Sequence, residues 1–308
     1  MSIGKYRHLS RCTNAAGQFV IMAIDHRANL REAIEKHGGP IHDLAFRDFK
    51  LQVIEAAAPQ VTAVLADPGF GLGAIVAGRK FTGGLLSPLE VTDYGVHPSQ
   101  RELQWIPNWS VDKVKRMGGD GIKLLLPFHP QLASAEAKKS LVEQVVKECD
   151  KHDIPLYLEP IACAPTPDEK LAPQDQREIT VEMAQLFYAQ GADVLKLQIP
   201  AEESQWEPTC RELGKVCSAP WALLSGGVDF ETYCRQAERA CFHGASGVIV
   251  GRAVWSEACS LQGAERAAFL EGVVPLRLQR LSDICAGAAP FWSNYREPDP
   301  ALDWYESY

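Results

Sequence analysis

The sequence feature that most constrains the fold is a series of short apolar runs, rich in Val, Ile and Leu, that recur along the chain. The runs are FVIMAID (19–25), TAVLAD (62–67), GGLLSP (83–88), GIKLLLPF (121–128), IPLYLEP (154–160), DVLKLQIP (193–200), WALLSG (221–226) and GVIVGR (247–252). Because apolar and polar residues do not alternate strictly within them, these runs predict strands that are buried on both faces of a parallel sheet.

Amphipathic stretches with helical spacing lie between the apolar runs, and examples are residues 42–58, 134–152, 176–192 and 229–245. About eight strand–helix units in one chain predict an α/β protein with a single (β/α)8 architecture, the TIM barrel. We expect one domain over residues 1–308, with an aromatic C-terminal tail at about 290–308.

The competing architecture is an open, doubly wound sheet. That fold typically carries G-x-G-x-x-G after its first strand. Here the first strand ends in AIDHRANL, which contains no glycine. The sequence therefore favours the closed barrel.

Composition and charge restrict the partners and the compartment. The chain has 31 basic and 39 acidic residues, which argues against nucleic acid because a phosphate backbone requires a positive surface. No apolar run approaches the roughly 20 residues of a membrane-spanning helix, and residues 1–17 lack the apolar core of a signal peptide. Nine cysteines without a C-x-x-C pair are typical of reduced thiols. We expect a cytoplasmic protein without a membrane or nucleic-acid partner.

Polar residues stand at the predicted carboxyl ends of the strands, where such barrels carry their chemistry. In chain order they are Asp25, His26, Arg27, Asp67, Lys123, Glu159, Lys196, Ser225, Gly226, Gly227, Gly251 and Arg252. This pattern predicts one site at the carboxyl face, to which most strands contribute.

Lys196 lies inside an apolar strand, where desolvation favours a neutral amine that can attack a carbonyl carbon and form a Schiff base. Lys123 and Glu159 lie on the two preceding strands, so the three groups are expected to converge. There Glu159 would shuttle protons as a carbinolamine becomes an imine. The alternative is a purely structural layer of salt bridges, since charges in a barrel core are costly unless they are paired.

The turns LLSGGVD and GVIVGRAVW follow the seventh and eighth strands, where many barrels bind phosphate. Gly226, Gly227 and Gly251 allow the backbone to approach an anion, and Arg252 can bind it with two nitrogens. Alternatively, the glycines only form tight turns. The two turns together, with Ser225 beside them, favour a phosphate site.

The chain resembles the class I tagatose 1,6-bisphosphate aldolases and their relatives, the class I sulfofructose-phosphate aldolases, from about residue 12 to about residue 292. The resemblance is carried by AIDHRANL, LADPGFGL, GIKLLL, LYLEPI, ADVLKLQIP, PWALLSGGVD and GVIVGRAVW, in that order. It implies that Lys196 is the Schiff-base lysine, that Glu159 is the catalytic carboxylate, and that Asp25 and Lys123 line the carbonyl site. It also implies a phosphate site at Ser225, Gly226, Gly227, Gly251 and Arg252.

We also expect His26, Arg27 and Asp67 to contact the substrate. The first motif of this family more often reads D-Q-R, whereas His26 occupies its middle position here. His129, in LLLPFHP, is a second departure from the family pattern. We expect both positions to contact the end of the substrate that is far from the carbonyl group, so they affect which sugar phosphate is bound. The D-P-x-x-G-L run at Asp67 favours the tagatose-bisphosphate group over the sulfosugar group.

The sequence thus predicts a cytoplasmic class I aldolase that cleaves tagatose 1,6-bisphosphate to dihydroxyacetone phosphate and glyceraldehyde 3-phosphate. One alternative is a sulfofructose-phosphate aldolase that gives dihydroxyacetone phosphate and sulfolactaldehyde. Others are a sugar-phosphate-binding regulator with little turnover, and a barrel isomerase or decarboxylase. We expect no cofactor and no metal, because only His26 and His129 of the eight histidines fall near strand ends.

The C-terminal tail is dense in aromatic residues, and Tyr308 is its last. Some other class I aldolases bring a C-terminal tyrosine into the active site. Packing against the barrel or against a neighbouring subunit is the more ordinary expectation. The sequence leaves open whether the chain forms a homo-oligomer.

Overall fold

All eight apolar runs form parallel strands of one closed barrel, in which each strand pairs with the next along the chain and the last pairs with the first. The computed structural model describes residues 1–73, 75, 81–295, 298–306 and 308. The barrel strands are β1 (Phe19–Ile24), β2 (Ala63–Ala66), β3 (Gly84–Pro88), β4 (Gly121–Phe128), β5 (Leu156–Ala162), β6 (Val194–Leu197), β7 (Trp221–Leu224) and β8 (Gly247–Val250). The predicted TIM barrel is confirmed.

The strand bounds differ from the predicted runs by a few residues, for local reasons. β5 begins at Leu156 rather than at residue 154, because Pro155 has no N–H to donate to a neighbouring strand. β6 ends at Leu197, three residues before Pro200. These shifts leave every charged strand residue of the predicted site in place.

Helices surround the barrel, and the four helical stretches singled out in the sequence are among them. The helices are α1 (Ile3–Arg11), α2 (Ala28–Gly38), α3 (Asp43–Ala57), α4 (Val111–Met117), α5 (Ala135–Lys151), α6 (Pro173–Ala189), α7 (Trp206–Val216), α8 (Phe230–Phe242), α9 (Arg252–Trp255), α10 (Gly263–Gly272) and α11 (Val274–Cys285). In the part of the chain that the structure describes, no helix is long and apolar enough to cross a bilayer.

Shorter elements lie in the connections. Between β3 and β4, the segments Glu90–Val91 and Gln104–Trp105 pair as a two-stranded antiparallel ribbon. The remaining short turns are a π-helix at Pro68–Leu72 and 3-10 helices at Ala58–Gln60, Pro98–Gln100, Glu203–Gln205, Ser256–Cys259, Phe291–Ser293 and Trp304–Glu306. The ribbon starts two residues after β3, at the carboxyl face of the barrel.

Strand phase decides which side chains enter the barrel. Alternate residues of the strands form one buried interior cluster, to which Phe19, Ile21 and Ala23 of β1, Tyr157 of β5 and Val194 of β6 belong. Side chains two residues apart on a strand share a face. The same phase therefore carries the next residues of that series, which are Asp25, Glu159 and Lys196, toward the interior at the carboxyl ends.

Helix α1 and the C-terminal segment close the opposite, amino-terminal face of the barrel. The Lys5 Nζ is 2.6 Å from Asp150 and 2.8 Å from Asp193. The Tyr308 hydroxyl contacts the Asp153 carboxylate and accepts the Gly4 N–H. The tail thus packs against the barrel at the end away from the strand carboxyl termini, and the suggestion of Tyr308 in the active site is wrong. Tail residues 296, 297 and 307 lie outside the described residues.

A buried ion pair beneath the carboxyl face joins α3 to two strand ends. The Lys50 Nζ donates to the Ile24 oxygen at 3.1 Å, to the His26 oxygen at 2.7 Å and to the Asp67 carboxylate. The other oxygen of Asp67 accepts the Phe70 N–H at 2.9 Å. Burial lowers the pKa of Lys50 despite this partner. Lys50 and Asp67 therefore fix the backbone on either side of Asp25.

This placement corrects the expectation that Asp67 contacts the substrate. Its side chain is fully buried, and both oxygens are already bonded to Lys50 and to the backbone of residue 70. A carboxylate without accessible surface cannot bind a ligand directly. Asp67 acts instead as the counter-charge of Lys50.

We predict that Asp67→Asn lowers the free energy of unfolding by about 3–5 kcal/mol, because it leaves the buried Lys50 ammonium without a counter-charge. Urea denaturation of the two proteins measures the loss. The matched control is Asp43→Asn, which breaks the ion pair of Asp43 with Arg31, where the Asp43 side chain is 76% exposed. That change is expected to cost less than about 1 kcal/mol. Losses of similar, small size in both variants would contradict the structural role of the Lys50–Asp67 pair.

Candidate active site

A cavity of about 190 Å³ opens at the carboxyl face of the barrel. From the predicted set, the residues that line it are His26, Glu159, Lys196, Ser225, Gly226, Gly251 and Arg252. A smaller adjoining pocket is lined by Asp25, Arg27 and Lys123, together with His26. The structure therefore brings the predicted residues together at one face, except Asp67, which is buried beneath it, and Gly227, which lines neither of these two pockets.

Lys196 and Glu159 form the buried pair at the centre of the site. The Lys196 Nζ donates to the Glu159 Oε2 at 2.9 Å. The two residues are only 6% and 7% exposed. They are adjacent because Leu158 of β5 pairs with Leu195 of β6, which places the residue after each at the same height. Any ligand in the cavity therefore meets the Lys196 amine while that amine is hydrogen-bonded to the Glu159 carboxylate.

Lys123 joins the same carboxylate from the other side. Its Nζ is 3.2 Å from the Glu159 Oε2, 3.2 Å from the Asp25 Oδ2 and 2.7 Å from the Glu90 Oε1. Burial alone would lower the pKa of Lys123, but the carboxylates of Asp25, Glu90 and Glu159 outweigh burial and raise its pKa well above the ordinary value. Lys123 thus stays a fixed positive charge beside Lys196.

The three carboxylates around these lysines differ in acidity. For Glu159, burial would raise the pKa, but Lys196 and Lys123 lower it overall. For Asp25, burial acts in the same direction, and Lys123 is the main charge that outweighs it and lowers the pKa. For Glu90, burial is the strongest influence and raises the pKa in spite of Lys123. Asp25 and Glu159 are therefore anions at neutral pH, and Glu90 is the weakest acid of the three.

Glu90 is a site residue that the sequence reasoning missed. The third apolar run ends at Pro88 and carries no charged group, so the pattern predicts no site residue at that strand end. Glu90 follows two residues later and is 2% exposed. A glutamate just after an apolar run was the sequence signal that could have identified Glu90 as a site residue. Tyr94 and Arg101, which line the main cavity from the same connection, were missed because sequence periodicity does not show how a long connection folds back.

The turn after β7 and the residue after β8 form the wall next to Lys196. Gly226 and Gly227 have φ angles of 58° and 86°, a left-handed conformation that favours glycine over residues with a side chain. A β-carbon at Gly227 would lie 3.1 Å from the Arg252 Nη2. The turn therefore lets the Arg252 guanidinium lie against exposed backbone, an arrangement that suits a phosphate.

His26 lies between this wall and the Asp25 carboxylate. Its Nδ1 is 3.9 Å from the Asp25 Oδ1, and its ring meets Trp255 edge to face with the ring centres 5.4 Å apart. Burial is the main reason that the pKa of His26 is lowered, to about 4. The Nδ1 is buried without a hydrogen-bond partner among the described residues. A neutral imidazole of this kind suits a hydrogen bond to substrate better than proton transport at neutral pH.

Two further predicted positions lie near the cavities. The Arg27 Nη2 donates to the Glu90 backbone oxygen, so Arg27 fixes the start of the β3–β4 connection. His129, which follows β4, accepts the Gln131 N–H on its Nδ1 at 3.0 Å and is not among the described residues that line either pocket. Arg27 is thus placed at the site, and His129 stabilises a nearby turn.

A TIM barrel with a buried lysine and a paired carboxylate under a cavity has the parts of a Schiff-base enzyme. Residues 19–257 match the profile described as DeoC/LacD family aldolase. The chain belongs to the DeoC/LacD family and is a class I aldolase, a lyase. The family resemblance noted in the sequence is confirmed at this level.

Relatives and solved structures agree with this assignment. The chain is 29% identical to the tagatose 1,6-diphosphate aldolase of Listeria monocytogenes serotype 4b and 30% identical to that of Listeria innocua, each over 328 aligned positions that cover 95% of both chains. A crystal structure of an archaeal fructose 1,6-bisphosphate aldolase has a TM-score of 0.65 and 18% identity, over 92% of this chain and 100% of that chain. At that identity, the structural match shows a shared fold.

The lowered pKa of His26 predicts a pH dependence of stability. The pKa is about 4 in the folded protein and 6.5 as the ordinary value, so the unfolded state binds the proton first as the pH falls. The free energy of unfolding should therefore decrease as the pH falls from 6.5 toward 4. We expect His26→Gln to lose less stability than the native chain between pH 7 and pH 4.5 in urea denaturation. Parallel losses in the two proteins would show that His26 is not held neutral by the fold.

Proposed function

We propose that the protein is a reversible class I aldolase for a phosphorylated ketose, and that tagatose 1,6-bisphosphate is its substrate. The observation that carries this proposal is the buried Lys196 Nζ, 2.9 Å from the Glu159 carboxylate, in a cavity whose adjoining wall holds Ser225, Gly226 and Arg252. The substrate choice is supported by relatives that bear the name tagatose 1,6-diphosphate aldolase at 29–30% identity.

In the first step, Glu159 accepts a proton from the Lys196 ammonium, and the neutral amine attacks C2 of the ketose. A new N–C2 bond forms, and a proton passes from the nitrogen to the former carbonyl oxygen to give a carbinolamine. Glu159 returns a proton to the C2 hydroxyl, which leaves as water, and an iminium remains on Lys196. The 2.9 Å contact between the two side chains makes Glu159 the proton carrier for this step.

In the second step, the C4 hydroxyl gives its proton to the Glu159 carboxylate and the C3–C4 bond breaks. Its electron pair moves into the iminium and forms an enamine, while C4 leaves as the aldehyde of glyceraldehyde 3-phosphate. The enamine takes that proton back at C3, and water adds to the resulting iminium and releases dihydroxyacetone phosphate from Lys196. Asp25, held 3.2 Å from Lys123 as an anion, assists at the hydroxyl groups, and Lys123 balances the charge.

The C1 phosphate of the substrate is assigned to Ser225, Gly226, Gly227, Gly251 and Arg252. This assignment places C2, which is next to C1, beside β6 and Lys196. Binding energy at the phosphate then orients the carbonyl toward the amine and lowers the barrier to attack.

Trapping with borohydride tests the covalent step. In the presence of dihydroxyacetone phosphate, borohydride should reduce the iminium, inactivate the enzyme and add the mass of the reduced adduct to the peptide that contains Lys196. Lys123 is an internal control, because it is buried beside the same Glu159 oxygen and should stay unmodified. A regulator, an isomerase or a decarboxylase would not be trapped in this way.

We predict that Lys196→Met folds, as judged by circular dichroism, and loses cleavage by about 10³-fold or more. Lys113→Met, at an exposed position of α4, is the matched control and should retain both cleavage and trapping. Cleavage should also persist in EDTA, because the Schiff-base route needs no metal. Near-normal turnover in Lys196→Met would refute the role of Lys196.

A substrate panel tests the specificity. Purified protein is assayed with tagatose 1,6-bisphosphate, with fructose 1,6-bisphosphate, its epimer at C4, and with sulfofructose 1-phosphate, which carries a sulfonate at C6. The highest kcat/KM is expected for tagatose 1,6-bisphosphate. A preference for the sulfonate would instead assign the chain to sulfofructose-phosphate cleavage, the second candidate.

A further inference from the structure

The connection between β3 and β4 lines the cavity with residues to which the proposed reaction assigns no role. Tyr94, Pro98 and Arg101 of this connection line the same cavity as Lys196 and Arg252. Arg101 follows the short 3-10 helix at Pro98–Gln100. The wall of the cavity away from the assigned phosphate site therefore presents a second arginine.

Strand order places this arginine opposite the assigned phosphate site. In a closed ring of eight strands, β3 lies across from β7, and β4 lies across from β8. Ser225 follows β7 and Arg252 follows β8, whereas Arg101 lies in the connection between β3 and β4. Lys196 on β6 and Glu159 on β5 occupy the arc between the two ends.

This order matches the order of carbons in an open-chain ketose 1,6-bisphosphate. With the C1 phosphate at β7 and β8, C2 falls beside Lys196 on β6. C3 and C4, the carbons that separate, then fall near Glu159 on β5 and Lys123 on β4. The chain of the substrate would continue toward the β3–β4 connection, where its C6 end meets Arg101.

Arg101 is held in place but leaves its binding nitrogens available. Its Nε donates to the Val96 oxygen at 2.9 Å, and its guanidinium carbon lies 5.1 Å from the centre of the Tyr94 ring. Among the described residues, neither terminal nitrogen of Arg101 has a hydrogen-bond or ion-pair partner. Two such nitrogens form a planar fork that matches an oxyanion.

Other arginines of this chain contrast with Arg101. Arg235, Arg277 and Arg280 each hold a carboxylate, those of Glu203, Glu257 and Glu231, at 2.6–2.9 Å. Arg101 and Arg252 both line the cavity, and neither has a carboxylate partner in the described part of the chain. In a chain with a net charge of −8, two arginines without a counter-charge at the ends of one cavity favour a ligand with two anionic ends.

Lys138 fixes the backbone of Arg101 from outside the cavity. It lies on α5, is 6% exposed and donates its Nζ to the Arg101 backbone oxygen at 3.0 Å. A buried ammonium is costly to desolvate and requires hydrogen-bond acceptors. Lys138 is therefore a positioning residue, which ties the β3–β4 connection to the helix that follows β4.

We propose that Arg101 binds the terminal oxyanion on C6 of the substrate and so selects ketoses that are anionic at both ends. The proposal rests on the proposed aldolase function and adds the residue that recognises the second anion. A phosphate and a sulfonate share the oxyanion chemistry that a guanidinium fork binds, and both are included in the test.

The test compares Arg101→Gln with the native chain on two substrates, tagatose 1,6-bisphosphate and tagatose 1-phosphate. Loss of a charge-assisted hydrogen bond should reduce kcat/KM for the bisphosphate by about 10- to 100-fold, mainly through KM. The kcat/KM for the 1-phosphate, which has no anion at C6, should stay nearly unchanged. Arg101→Lys should recover part of the loss. Arg252→Gln is the matched control and should impair both substrates.

Equal loss on both substrates, or loss on neither, would overturn the assignment of Arg101. A third arm, sulfofructose 1-phosphate, identifies the anion: a selective loss on the bisphosphate, on the sulfonate or on both supports the proposal and names what the fork binds.

Binding measurements separate this proposal from the aldolase function. Hexitol 1,6-bisphosphate and hexitol 1-phosphate have no carbonyl group and cannot form a Schiff base. In calorimetry, Arg101→Gln should weaken binding of the hexitol bisphosphate by about 10-fold or more and should spare the hexitol 1-phosphate. This result would support Arg101 even if the native chain cleaved none of the ketoses. Equal weakening of both hexitols, or of neither, would reject Arg101 even if cleavage were confirmed.

Discussion

The site depends on one carboxylate oxygen that two ammonium groups share. The Glu159 Oε2 lies 2.9 Å from the Lys196 Nζ and 3.2 Å from the Lys123 Nζ. Removing such charges from water costs several kcal/mol for each ion, and the cost is offset only where opposite charges and hydrogen bonds meet them. Asp25 and Glu90 supply the remaining negative charge around Lys123. The barrel can therefore bury the Lys196 amine because Lys123, Glu90 and Glu159 are buried with it and Asp25 lies beside them.

Two buried lysines outside this network, Lys50 and Lys138, hold the connections that carry other site residues. Lys50 bonds the backbone oxygens of Ile24 and His26, on either side of Asp25. Lys138 bonds the backbone oxygen of Arg101. In both cases a helix on the outside of the barrel supplies the ammonium, and a connection at the carboxyl face supplies the carbonyl groups. The connections gain a fixed geometry, which a catalytic site requires.

The barrel and its central pair could be predicted from the sequence because both follow from strand phase, which is a local property. The apolar runs mark the strands, and their phase directs Lys196 and Glu159 inward. Asp67 also stands at a strand end, yet its environment is set by Lys50, on a helix that precedes the strand. Glu90 and Arg101 lie in a connection without periodicity, and its path depends on contacts with Arg27 and Lys138. Strand phase carries no information about either interaction.

The same contacts bear on whether the charges at the carboxyl face are merely structural. A structural layer of salt bridges is expected to be closed, with every buried polar atom satisfied, because an unpartnered one costs about 1–3 kcal/mol. Here the Glu90 Oε2 and the His26 Nδ1 are buried without partners among the described residues, and both side chains border the small pocket beside Lys123. Lys196 and Glu159 border the main cavity. These two atoms lie where the network meets open space, so a polar ligand bound there would complete their hydrogen bonding.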